Sequence, residues 1–128
     1  MKIAKEKSVV KREITGAVIR QRTDCGDANG LGKISCEYFS RSAGVDTTPL
    51  FMGLEGNLCQ CPHWGYLLSG QLTTTDAKGI QEIVNANDLF YWQAGPHAKV
   101  HVCAAMVMFS PQPERTYVIN HMIANVNG

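Results

Sequence analysis

Hydrophobic and polar residues alternate along several short stretches of the chain, which is the pattern of β-strands with one buried face. Residues 33–40 (KISCEYFS), for example, alternate Ile34, Cys36 and Tyr38 with other side chains. Similar strand-like stretches cover residues 17–22, 58–75, 80–84, 89–93 and 99–109. Six or more strands at a spacing of roughly ten residues are typical of a β-sandwich or β-barrel.

Turn-forming residues separate these stretches, at residues 24–30 (DCGDANG), 76–79 (DAKG), 85–88 (NAND) and 94–96 (AGP). The C-terminus departs from the strand pattern, because mostly apolar residues recur there at the spacing of one helix face. They are Tyr117, Val118, His121, Met122 and Val126. We therefore predict an all-β domain with an antiparallel barrel of roughly eight to ten strands, from about Ala17 to Phe109, and a short helix after Pro113.

A chain of 128 residues is long enough for one hydrophobic core but not for two domains. We assign residues 1–16 to an N-terminal arm or edge strand, 17–111 to the barrel and 112–128 to a C-terminal helix or tail. The net charge of +1 predicts no binding to nucleic acid. No apolar run is long enough to span a membrane, and no signal peptide is visible. The five cysteines are odd in number, which favours reduced thiols and a cytoplasmic location.

The segment Cys59-Gln60-Cys61-Pro62-His63 holds three side chains of the types that bind metals. On a regular strand Cys59, Cys61 and His63 point to the same face, which predicts a metal site on that face. One ion could contact both Cys59 and His63 only if the strand bends, because residues four apart lie roughly 13 Å apart. Pro62 favours such a bend. The alternative interpretation is a core of two buried thiols and one hydrogen-bonded histidine.

His97 is a fourth candidate ligand, because it follows the turn Gly95-Pro96 where the chain enters the last strand. His101 is a further candidate four residues later, although a core or surface position is the alternative for it. We expect His63 and His97 to face the same interior, within reach of one ion.

Two stretches of the chain resemble the motifs of the cupin superfamily. Residues 66–70 (YLLSG) match the Tyr-Val-Leu-x-Gly that ends the first cupin motif, with Gly53 near its start. This alignment places Asn57 and Cys59 at the positions of the two motif histidines and His63 at that of the glutamate. In the second motif, residues 87–95 (NDLFYWQAG) follow the pattern, and His97 lies one residue short of the usual histidine.

The resemblance implies a cupin-type β-barrel, or jelly roll, similar to small single-domain bacterial cupins of uncharacterised function. It also implies a homodimer, formed by exchange or extension of the N-terminal segment 3–14. Cupins include metal enzymes and binding proteins alike, so the resemblance supports the fold more than an activity.

Three functions remain open from the sequence. The leading hypothesis is a barrel that binds a divalent metal or a small ligand at Cys59, Cys61, His63 and His97. Zinc is the first expectation, with nickel, copper or iron as alternatives. The second is a metal-free module for small molecules, and the third is an enzyme, either a metal-dependent oxidoreductase or dioxygenase or one with a cysteine nucleophile and His63 or His97 as its base.

Overall fold

The computed structural model describes residues 2–14, 17–30, 32–44, 46, 48–54, 59–93 and 97–127. Its strands are β1 (Val9–Ile14), β2 (Ala17–Arg22), β3 (Ile34–Arg41), β4 (His63–Thr75), β5 (Gln81–Asn85), β6 (Leu89–Trp92) and β7 (His97–Pro111). One α-helix, α1 (Gln112–Asn127), follows β7 directly, and short 3-10 helices lie at Lys5–Lys7 and Thr48–Phe51. The strand-rich chain with a C-terminal helix confirms the predicted fold class.

The strands form one antiparallel sheet in the order β1-β2-β3-β7-β4-β5, with β6 paired to the beginning of β4. The described residues contain seven strands in a single sheet, fewer than the eight to ten predicted, and β1 and β5 lie at the two ends of the strand order. β1 lies within the segment 1–16, which the sequence assigned to an arm or edge strand, and it pairs with β2 at the edge of the sheet.

One face of this sheet, here called the inner face, is turned inward. Its apolar residues from six strands meet in one core, whose members are Ile19, Phe39, Leu67, Leu72, Val84, Phe90, Trp92, Ala104, Met106 and Met108. Because side chains from β2 at one side and β5 at the other belong to the same cluster, the sheet must curve strongly around it.

A bulge interrupts the pairing of β4 with β7. The register between these strands shifts around Ser69 and Gln71. Gly70 lies between them in the left-handed region, at φ 88°. The bulge turns the side chains over, so that Leu67 and Leu72, five positions apart, both face inward.

Helix α1 packs beside the entry to β4 through a second apolar cluster, formed by Leu50, Leu54, Cys59, Cys61, Val118 and Met122. The helix begins at Gln112, so Pro113 lies in its first turn, where a missing N–H costs no hydrogen bond. Of the predicted helix residues, Val118 and Met122 are buried, whereas Tyr117 is 62% exposed and does not belong to the packed face. Ile119 and Arg115 are buried instead.

No helix in the described part of the chain is both long and apolar enough to cross a membrane.

Candidate functional site

A buried ion pair lies where the inner face meets helix α1. The guanidinium of Arg115 donates to both carboxylate oxygens of Glu37, from Nε to Oε2 at 2.7 Å and from Nη2 to Oε1 at 2.8 Å. The Gln21 amide donates to Glu37 Oε2 at 3.1 Å, and the Ser35 hydroxyl donates to the same oxygen at 3.4 Å. Glu37 and Arg115 are nearly inaccessible to solvent, so each compensates the other's buried charge.

Cys59, Cys61 and His63 lie next to this pair, and all three are buried. Cys59 Sγ is 3.4 Å from His63 Nε2, although the residues are four apart in sequence. The contact requires the bend that the sequence predicted: β4 begins only at His63, and residues 59–62 are not part of a strand. The structure therefore brings Cys59 and His63 together through a bent entry to the strand.

Hydrogen bonds connect these side chains into a chain across the base of the site. His63 Nδ1 lies 2.7 Å from Ser110 Oγ, and the Ser110 hydroxyl also interacts with the Cys61 thiol. A consistent order has the Cys59 thiol donating to His63 Nε2, His63 Nδ1–H donating to Ser110, and Ser110 donating to Cys61.

Burial keeps the thiols and the imidazole neutral. It raises the pKa of Cys59 above its ordinary value and raises the pKa of Cys61 to about 12. Burial also lowers the pKa of His63 well below 6.5, and the nearby Arg115 and Arg41 guanidiniums lower it further. This electrostatic environment works against a thiolate nucleophile at Cys59 or Cys61, because a reactive cysteine needs a lowered pKa.

Arg41 is a second buried cation on the same inner face. Its guanidinium stacks 4.3 Å above the Phe39 ring, and only 7% of the residue is exposed. Burial lowers the pKa of Arg41 to about 10, and the repulsion of Arg115 contributes, so the side chain is still charged at neutral pH. Its Nε and Nη1 atoms have no hydrogen-bond partner among the described residues. The residue also lines a cavity of about 850 Å³ beside Ala17 and Ala104.

Trp92 provides another unpartnered donor on this face. Its ring stacks on Phe90 with centroids 4.0 Å apart and meets the edge of the His63 ring at 6.3 Å. The indole Nε1 is buried, and no acceptor in the described part of the chain reaches it. Trp92 also borders a cavity of about 430 Å³ that Thr74 and Tyr91 line.

The backbone of His97 pairs at the opposite end of β4 from His63. His63 is the first residue of the 13-residue strand β4, whereas the backbone of His97 pairs with Thr75, the last residue. The side chain of His97 lies outside the described part of the structure, so the joint approach of His63 and His97 to one ion stays a prediction.

His101 is also separate from the buried cluster. Its side chain is exposed, and its Nε2 lies 2.6 Å from Thr73 Oγ1. Within the described residues no group of three His, Cys, Asp or Glu side chains could hold a metal ion. The motif positions Asn57, Gly95 and Pro96 lie outside the described residues.

The sequence did not reveal several residues of this site, namely Gln21, Ser35, Glu37, Arg41, Trp92, Ser110 and Arg115. The usable signal was the period of two in β3, which puts Glu37, Phe39 and Arg41 on one face. The pattern does not say which face is inward, and charged residues favour the outward choice. The ion pair of Glu37 with Arg115 joins residues 78 apart in sequence, so no local pattern contains it.

No protein-family model matches the sequence, and no curated protein is similar to it in sequence. Solved structures, in contrast, share its fold. Ectoine synthase from P. lautus superimposes with a TM-score of 0.61 at 13% identity, over 88% of this chain and 78% of the other. The polyketide cyclase RemF from Streptomyces resistomycificus gives 0.59 at 16% identity, over 87% of this chain and 78% of the other. An oxalate decarboxylase variant from Bacillus subtilis gives 0.57 at 18% identity, over 86% of this chain but 29% of the enzyme.

These neighbours have the cupin fold, so the chain has a cupin-type fold. At such low identities the similarity establishes the fold alone. The activity must be argued from the residues of the inner face.

Proposed function

We propose that this protein is a cupin-type module that binds a small organic molecule on its inner face without a resident metal ion. The observation that supports this most is the set of three buried N–H donors without acceptors, Arg41 Nε, Arg41 Nη1 and Trp92 Nε1. A buried donor without a partner costs about 1–3 kcal/mol, so a folded protein rarely keeps several. A ligand with hydrogen-bond acceptors would satisfy them.

The surroundings of the donors suit an organic ligand. Phe39 lies under the Arg41 guanidinium, and Phe90 stacks on Trp92, so apolar ring surface is adjacent to both polar donors. Small-molecule sites typically combine such apolar walls with a few directed polar groups. In this proposal Arg41 binds the polar group of the ligand, and the hydrogen-bonded chain of His63 and Ser110 holds the base of the site rigid.

This proposal makes a stability prediction that needs no knowledge of the ligand. A residue kept for binding costs the empty protein stability. Replacing a buried, unpaired charge by an apolar side chain of similar length removes that cost. Arg41→Met should therefore raise the free energy of unfolding by about 1–2 kcal/mol, measured by urea denaturation. A loss of stability in Arg41→Met would show that Arg41 is a structural residue and would contradict the proposal.

A metal site is the second candidate, favoured by the contact of Cys59 with His63. Two possible metal ligands, Cys59 Sγ and His63 Nε2, meet there. Ser110 forms a hydrogen bond with the other imidazole nitrogen of His63, as a neighbouring polar group commonly does for a metal-binding histidine. A catalytic zinc site has three protein ligands, and the described residues supply two at this point. The donor set therefore does not fit such a site, and no reaction step is derived through a metal.

Metal analysis of the purified protein separates the two candidates. Under the first proposal we expect no stoichiometric zinc, nickel, copper or iron in protein purified under reducing conditions. A stoichiometric metal that is lost in His63→Ala and kept in His121→Ala would establish the second candidate instead. His121 is a suitable control because it lies on α1 and contacts the Met52 carbonyl at 2.6 Å.

We also propose that the protein is a homodimer, which the N-terminal segment and the outer face of the sheet both support. Tyr91, Trp64 and Phe109 lie in one row across β6, β4 and β7. They are 52%, 45% and 41% exposed, and the Trp64 and Tyr91 rings stack at 5.1 Å. The row carries no charge, so two copies could face each other across a two-fold axis without repulsion.

Light scattering at micromolar concentration tests the dimer. We expect the wild-type protein to have twice the mass of the chain and Trp64→Ser to have the mass of one chain. A dimer that persists in Trp64→Ser would exclude the aromatic row and point to the open edge of β1. A monomeric wild-type protein would refute the dimer itself.

A further inference from the structure

In the described part of the chain, the inner face buries more cationic than anionic side chains. Its buried ionisable residues include two guanidiniums and one carboxylate, and both hydrogen bonds of the Arg115 fork go to that carboxylate, Glu37. The remaining cation, Arg41, forms no ion pair with any carboxylate of the described residues. A buried charge needs a counter-charge, because its desolvation is costly.

The same charges disfavour a metal at this place. Both Arg41 and Arg115 act electrostatically on His63, and the interaction opposes added positive charge there. A divalent cation beside Cys59 and His63 would meet the repulsion of two guanidiniums in a medium of low dielectric constant. Arginine side chains of the protein, rather than a metal ion, thus supply the positive charge of the inner face.

We infer that Arg41 takes the place that a metal cation has in metal-dependent proteins, and that it binds the carboxylate group of a small organic acid. The inference rests on the proposed function and names its ligand class. Guanidinium is suited to this role, because it carries a permanent charge and directed N–H donors.

The surroundings of Arg41 argue for a carboxylate with an apolar body rather than a compact inorganic anion. One face of the guanidinium is covered by the Phe39 ring. The cavity that Arg41 lines is bordered by the small apolar side chains of Ala17, Ala104 and Ala105, and also by Ser42, Ser69 and Glu13. The apolar part of this lining would contact a hydrocarbon or aromatic body and leave the charged head to Arg41. A free phosphate would bury more charge than one guanidinium can balance.

Benzoate and benzamide are suitable probes, because they have nearly the same shape and differ in charge. The background is Trp64→Phe, which leaves Trp92 as the single tryptophan, since the chain has two. Trp92 fluorescence then reports binding at the inner face. Each probe, and inorganic phosphate, is titrated into protein treated with a chelator and into untreated protein. The variants are Arg41→Gln, which removes the charge, and Arg41→Lys, which keeps it.

We expect benzoate to bind at least about tenfold more tightly than benzamide or phosphate, as a charge-assisted hydrogen bond would provide. The chelator should not change this affinity. Arg41→Gln should abolish the preference for benzoate, and Arg41→Lys should retain part of it.

The other outcomes overturn the inference in distinguishable ways. Equal binding of benzoate and benzamide, unchanged in Arg41→Gln, would leave a small-molecule site but refute the carboxylate. Tighter binding of phosphate would refute the apolar organic acid. A benzoate affinity that falls after chelation would show that a metal is the cation. If no probe binds and Arg41→Met is less stable than the wild type, the proposed function fails together with the inference.

Discussion

Replacing Arg115 with methionine should destabilise the protein by about 3–5 kcal/mol, the usual cost of leaving one partner of a buried ion pair without the other. Methionine keeps the length and apolar stem of the side chain, so the change removes mainly the charge and the donors. Glu37 would then keep a buried carboxylate with only the Gln21 amide and the Ser35 hydroxyl as hydrogen-bond donors. The free energy of unfolding from urea denaturation measures the effect.

The matched control is the same substitution at the other buried arginine. Arg41→Met removes an unpaired cation and should change the stability in the opposite direction, so the two variants separate paired from unpaired charge. A second control is Arg115→Met combined with Glu37→Leu, which removes both charges and should recover much of the loss. If Arg115→Met alone changed stability by less than about 1 kcal/mol, the pair would behave as a solvent-exposed one.

Most of the fold was predictable from the sequence, because turn residues and alternation are local signals. The stretches predicted at 17–22, 33–40 and 89–93 correspond to β2, β3 and β6 within one residue at either end. The number of strands was harder to predict. It depends on pairing between distant strands, and the described residues form one sheet of seven strands with a bulge at Gly70, where β4 pairs with β7.

The site was predictable only where its residues are close in sequence. Cys59, Cys61 and His63 were found because they share one short segment, and the bend at its entry was required by distance alone. The position of His97 depends on the register of β7 against β4, which shifts at the bulge and is not visible in the sequence. Arg41 and Glu37 were missed for another reason, since a charged residue in an alternating strand normally faces solvent.

The bulge at Gly70 carries the second large expected effect. Gly70→Ala should lower the free energy of unfolding by about 2–5 kcal/mol, combining the cost of a left-handed backbone with that of overpacking. Gly70 has a φ of 88°. A Cβ there would collide with the Cys103 carbonyl oxygen and lie 2.8 Å from Ala104 Cα, so backbone atoms of β7 would have to move. Urea denaturation of the purified variant gives the difference.

Gly79→Ala isolates the part of this effect that comes from the collision. Gly79 has a similar φ of 81°, but a Cβ at that position meets no atom within 4 Å. Its substitution should therefore cost only the backbone strain, about 1–2 kcal/mol. The excess in Gly70→Ala measures how closely β4 and β7 approach at the bulge. Equal losses in the two variants would mean that β7 can move away freely, and the bulge would then not be the rigid point that sets the curvature of the inner face.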